Sequence, residues 1–409
     1  MVQPPPRFGG ELRRRRLAAG LSLGDLAGLV HYSKAQLSKV ERGLKQPSRS
    51  LVMLCDSALA ADGALAVLAT RREPAPPGTG PPEAEVLSRR RMMAAGAASV
   101  VGLGVDRLAV ADDGSLASAS RSLFDQYRRL GQSAPPSLLL PALIAQTSTL
   151  CKVAATASAR NRADLLILAS RYAEYVGWLA QENGDERSAL WWTHRAVDLA
   201  AAGGDQGLSA YGLVREALIT LYGQDAARTV ALARRAQASG VPPRVLGLAA
   251  QREAQGHAIA GDHRACMRGL ERAREHLSRS SAHNGLPVLG TTNLADPVGM
   301  ITGWCLYDLG RPRQAAEILE EQLAAVPPEA TRTHVRYGLR RALAYAAAGE
   351  VDHACTLVRP LLSSVVTVGS TTVAADLGAL ARILTRHRGN PLVRDLSPEL
   401  STVQQFIVT

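Results

Sequence analysis

The stretch GLSLGDLAGLVHYSKAQLSKVERGLKQPS, Gly20–Ser48, decides how the front of this chain folds. Leu23, Leu26, Ala27 and Val30 recur at the period of one helix, and after a break at His31 and Tyr32 a second apolar stripe, Leu37 and Val40, faces them. Ser33 is suited to cap the second helix, its hydroxyl accepting from a free backbone N–H near Gln36. Gly43, with Lys45 and Pro47 soon after, ends that helix. Lys34, Gln36, Ser38 and Lys39 then lie away from the apolar seam, and a helix presenting such donors fits the major groove of DNA and can read base edges.

Charge points the same way. Residues 7–49 hold ten basic side chains (Arg7, Arg13 to Arg16, Lys34, Lys39, Arg42, Lys45 and Arg49) against Glu11, Asp25 and Glu41. That short segment carries most of the chain's net +11, a local footprint suited to phosphate neutralisation. Only four of the 47 basic residues are lysines, and three of those four cluster between positions 34 and 45.

At these residues the chain resembles the lambda-repressor-like, or XRE, family of DNA-binding domains, in the variant common among actinobacterial regulators. The resemblance covers roughly residues 8–70 and rests on the helix lengths, the S-x-x-x-L-S-K-V-E-R-G run and the trailing proline. It implies a five-helix bundle in which Lys34, Ala35 and Lys39 contact bases and Ser33 and Gln36 touch bases or phosphates. It also implies a structural ion pair between Arg16 and Glu41. Two positions depart from the pattern: Leu23 stands where a glutamine usually makes a contact, and His31 where the turn usually has glycine. Arg42, Lys45 and Arg49 complete the expected DNA-binding set.

With 409 residues, 46% of them hydrophobic and only 4% aromatic, the chain has room for two or three domains and an alanine- and leucine-rich composition that favours helices. An all-α protein is expected. Cys55, Cys151, Cys266, Cys305 and Cys355 are odd in number and widely spaced, which points to no disulfide framework or zinc site and to a reducing cytoplasm. The histidines show no ligand spacing, so neither metal nor cofactor is expected. The run RRRMMAAGAASVVGLGV, Arg89–Val105, resembles a membrane or twin-arginine signal, but its apolar part ends at Asp106 and is too short to span a bilayer. No membrane association is expected from it.

The expected organisation is a DNA-binding domain at 1–71, a tether at 72–91, connecting helices at 92–159 and a helical repeat domain at 160–409. The tether contains REPAPPGTGPPEAE, Arg72–Glu85, whose five prolines and two glycines cannot continue a helix. In the repeat domain a glycine closes a helix at Gly184, Gly223, Gly261, Gly310, Gly349 and Gly389, at intervals of 39, 38, 49, 39 and 40 residues. An alanine follows the first five at Ala189, Ala227, Ala265, Ala315 and Ala354. A small residue precedes four of the glycines at Gly177, Ala254, Gly303 and Ala342. Small side chains at these offsets let antiparallel helices approach closely. The long interval carries a polar insertion, SRSSAHNGLPVLGTTNLADP, Ser278–Pro297, read as a loop or lid.

These offsets resemble the tetratricopeptide repeat, with a longer period and a degenerate consensus, over residues 160–406. The resemblance implies an α-solenoid whose concave face binds peptides or extended ligands. The inward positions carried over are Arg171, Glu174, Trp178 and Gln181, then Gln251 and Gln255, then Trp304 and Tyr307, then Arg336. The layout is also similar to Gram-positive regulators that sense signalling peptides. The expected function is sequence-specific binding of double-stranded DNA by a homodimer whose repeat domain senses a peptide or small molecule. A DNA-anchored protein–protein scaffold is the alternative. With no G-x-S-x-G, H-E-x-x-H or phosphate-cradling glycine loop, an enzyme is not expected.

Overall fold

The computed structural model describes residues 8–30, 34–47, scattered positions between 51 and 68, 113–280 and 287–408. His31, Tyr32 and the Ser33 cap, Arg49, the 72–91 tether and the Arg89–Val105 run lie outside the described residues. Two compact units emerge, Met1–Gly80 and Pro81–Thr409. All regular structure among the described residues is helical.

In the first unit, helices α1 (Phe8–Ala18), α2 (Leu23–Val30) and α3 (Lys34–Glu41) pack Leu12, Leu26, Val30, Leu37 and Val40 into one core. Leu51, Cys55 and Leu65, all helical, complete it. Ser22 caps α2: its hydroxyl accepts from Asp25 N–H at 3.1 Å while the Asp25 carboxylate accepts from Ser22 N–H at 2.8 Å. Gly9 lets α1 cross α3 at short range, because a Cβ there would collide with the carbonyl oxygens of Val40 and Glu41.

Among the described residues of the second unit, α4 (Asp113–Leu130) and α5 (Pro136–Thr156) come first. Both are integral to its core rather than separate connectors, with Phe124, Leu139, Leu143 and Leu150 buried alongside Leu165 and Leu168. Helix α5 is long and apolar enough to cross a membrane by length and composition, and one of its faces is buried in this core.

Six helical hairpins follow among the described residues: α6 (Ala159–Glu182) with α7 (Glu186–Ala202), α8 (Gly207–Tyr222) with α9 (Ala226–Arg235), α10 (Pro243–Ile259) with α11 (His263–Ser278), α12 (Pro297–Asp308) with α13 (Pro312–Ala324), α14 (Thr331–Ala347) with α15 (Val351–Val358), and, after the short α16 (Leu362–Val368), α17 (Thr371–Leu384) with α18 (Pro391–Val408). Most turns share one construction. Gly184, Gly261, Gly310 and Gly349 take the left-handed conformation that closes a helix, and the next N–H reaches back to a carbonyl five residues earlier, as Asp185 does to Ala180 at 2.9 Å. Asp185 and Asp262 then cap the following helices. The second hairpin differs: Gln224, not Gly223, is left-handed, and Ala227 is exposed while Thr229 is buried.

The hairpins turn back on themselves. Glu182 at the end of α6 accepts from Arg336 and Arg332 of α14 and from Ser370 and Thr372 at the start of α17. Arg332 also donates to the carbonyls of Gly131 and Ala134, both at 2.7 Å. The first hairpin thereby meets the fifth and the sixth.

Candidate functional site

On the first unit, the seam fixes which face of α3 is free. With Leu37 and Val40 buried, Lys34, Ala35, Gln36 and Lys39 are exposed, as are Arg42 and Lys45 just beyond; Ser38 is half-buried. Among the described residues, no carboxylate holds Lys34, Lys39 or Lys45. Arg42 turns inward enough for its Nε to donate to the Ser38 carbonyl.

The arginine run of α1 behaves differently. Arg14 and Arg15 both donate to Glu11, whose carboxyl is held at a pKa of about 2, first by the hydrogen bond from Arg14 and against the upward push of burial. Arg16 forms a two-pronged pair with Glu41, Nε to Oε1 at 2.6 Å and Nη2 to Oε2 at 2.9 Å, and its Nη1 donates to the Leu21 carbonyl. Both side chains are buried, so the pair locks α1 to the end of α3. Of the four consecutive arginines Arg16 is thus tied within the fold, Arg14 and Arg15 pair with Glu11 on their own helix, and Arg13 and Arg14 stay exposed.

The second unit encloses a cavity of about 1080 Å³ lined by α4, α6, α8, α10, α12, α14 and the 287–294 part of the insertion. Pinned in place, that insertion is a wall: Arg128 donates to the carbonyls of Val288 and Gly290, and Arg244 to those of Leu289 and Thr291. Eight arginines line the cavity against three carboxylates, Asp125, Glu174 and Glu329. The apolar wall includes six aromatic residues, with Tyr175 stacked on Trp178 at 5.4 Å and Arg332 lying 5.5 Å over the Trp178 ring.

Of the nine residues expected to face a ligand, Arg171, Glu174, Trp178, Gln251, Trp304 and Arg336 line this cavity. Arg171 Nη2 holds Asp205 at 2.7 Å, while its Nε and Nη1 are buried with no partner. Glu174 faces Arg215 at 3.5 Å, and the Gln251 side-chain nitrogen has no partner. Three residues do not face the cavity, which corrects the expectation. Gln181 is taken up between helices as the acceptor for Arg215 at 3.0 Å, Gln255 is fully buried, and Tyr307 packs toward the C-terminal part of the core.

Missing from that expectation are Arg128, Arg215, Arg252 and Arg332. Arg252 has no hydrogen bond or ion pair with any described residue. Burial pushes its pKa below the usual arginine value, with Tyr337, Tyr222 and Tyr211 nearby acting in the opposite sense. At the closing point, burial alone would raise the Glu182 carboxyl, but Arg336 and then Arg332 hold it down to about 2.

Comparison with known proteins touches the first unit only. Residues 7–68 match the family model described as a helix-turn-helix domain, a span that contains α1–α3, the buried seam and the Arg16–Glu41 lock. No curated protein and no solved structure matches the chain. The N-terminal unit is a helix-turn-helix DNA-binding domain.

Proposed function

We propose that the chain is a sequence-specific transcription regulator of the XRE type, acting in the cytoplasm as a homodimer. Its C-terminal hairpins, of tetratricopeptide-like design, sense a peptide or small-molecule ligand. The observation that carries the DNA reading is the division of α3: Leu37 and Val40 buried, Lys34, Ala35, Gln36 and Lys39 exposed together. Such a helix can lie in the major groove with its N-terminal residues at base edges, and two heads would reach half-sites roughly 34 Å apart. The cavity supports the sensing role, since a large concave site that combines apolar and aromatic surface with convergent polar groups can hold a ligand. The reading includes no catalytic step.

A ligand acts on DNA binding only if it prefers one arrangement of the heads over another. The test selects an operator from random duplexes with the full-length protein and then compares affinity with and without cell-extract metabolites and peptides. Selection of one motif, with affinity altered by an extract fraction, supports the proposal. Uniform binding to all duplexes would remove the regulator reading, and recovery of a bound protein in place of a small molecule would favour the scaffold.

A further inference from the structure

The cavity's chemistry narrows the ligand, an inference that rests on the sensing role just proposed. The Glu182 junction brings the fifth hairpin onto the first, and the pinned insertion covers part of the remaining wall. What the hairpins surround is thus a chamber for a compact molecule, of the size that typical small-ligand sites reach.

Partners already satisfy most of its arginines. Arg128 holds carbonyls of the insertion, Arg215 lies against Glu174 and Gln181, and Arg332 and Arg336 share Glu182. Arg121, Arg129 and Arg252 line the chamber with no anion among the described residues; Arg129 is exposed, and of the three only Arg252 has its pKa pushed down by burial. Beside it in sequence the Gln251 side-chain nitrogen is buried and unpartnered, and Arg171 retains two buried, unpartnered nitrogens. Buried donors such as those of Gln251 and Arg171 are costly to leave unmet, and the half-buried Arg252 beside them lacks a counter-ion. All three residues line the same cavity, and all the unmet groups are donors.

We propose that the chamber binds a small organic anion: its carboxylate, sulfonate or phosphate group pairs with Arg252, Gln251 and Arg171 supply further donors, and its apolar body lies against the aromatic wall that includes Trp178 and Tyr337.

The probe pair is 8-anilinonaphthalene-1-sulfonate, an aromatic anion that fluoresces in apolar sites, and N-phenyl-1-naphthylamine, which has the same rings without the charge. Full-length protein should bind the sulfonate saturably at one site per chain and the neutral compound about tenfold more weakly, the difference one charge-assisted hydrogen bond makes. Arg252→Met should weaken the sulfonate by about the same factor. Arg252→Lys, which keeps the charge, should retain most of the affinity. Equal binding of the two probes, or an Arg252→Met variant that binds the sulfonate as tightly as the parent, overturns the proposal. The comparison of probes on the unaltered protein decides the matter if the Met variant fails to fold. Operator affinity measured in parallel separates the two readings: Arg252-dependent anion binding with unchanged operator affinity would uphold the anion site and remove the sensing role.

Discussion

Arg336 Nη2 lies 2.6 Å from both carboxylate oxygens of Glu182, joining the fifth hairpin of the C-terminal unit to the first through a carboxylate that is 1% exposed. Arg332, Ser370 and Thr372 donate to the same group, so every face of the buried charge is satisfied. Such a site stabilises only while complete, because removing one partner leaves the others charged and dry.

Glu182→Gln should therefore cost about 3–5 kcal/mol by leaving Arg332 and Arg336 without their anion. Chemical denaturation of the full chain measures it. A loss below about 1 kcal/mol would mean that the junction is not closed in solution.

The same carboxylate makes stability depend on acid. Its pKa is about 2 in the fold against an ordinary 4.5, so its contribution is complete above pH 4.5 and disappears as pH falls toward 2. The gap corresponds to about 3 kcal/mol. Unfolding free energy followed from pH 6 to 3 should drop more steeply in the parent than in Glu182→Gln, and parallel curves would contradict the assignment.

In the N-terminal unit, Glu41→Ala leaves Arg16 buried without its carboxylate and should cost about 3 kcal/mol. Calorimetry should show the transition of this unit alone moving down, with affinity lost equally for every DNA sequence. Loss confined to one operator would place Glu41 at the bases instead of beneath them.

Lys34→Ala and Lys39→Ala test the exposed face. Each should cost about 1–3 kcal/mol on the selected operator and relax preference at one position. Lys45→Ala should weaken all duplexes alike and reduce the salt slope by about one. Fluorescence anisotropy over a salt series distinguishes the two patterns.

Much of the N-terminal unit was legible because its apolar residues keep one period: Leu26, Val30, Leu37 and Val40 are all buried, and the exposed residues of α3 follow from them. Capping by Ser22 was equally readable from its spacing to Asp25 and was missed. In the hairpins, glycine marked four turns where the chain needs the left-handed conformation, but at the second turn that residue is Gln224, one position beyond the glycine. The cavity was legible only in part. An arginine facing an enclosed chamber recurs on its helix with the same period as one facing water, so Arg252 and Arg215 carried no local signal. Which side is inside depends on closure, and closure depends on Glu182 meeting Arg332, 150 residues away in the chain. Gln181 and Gln255 sit at helix-facing positions that the closed array uses for packing.

A chain of repeats in which each unit touches only its neighbours can gain or lose a unit and still fold. Here the tie between Glu182 and Arg336 removes that freedom. Deleting or duplicating one hairpin between them would carry Arg336 a full repeat away and strand a carboxylate in the interior. Divergence can reshape connections such as 278–297, whereas the tally of hairpins is held constant by a single side chain.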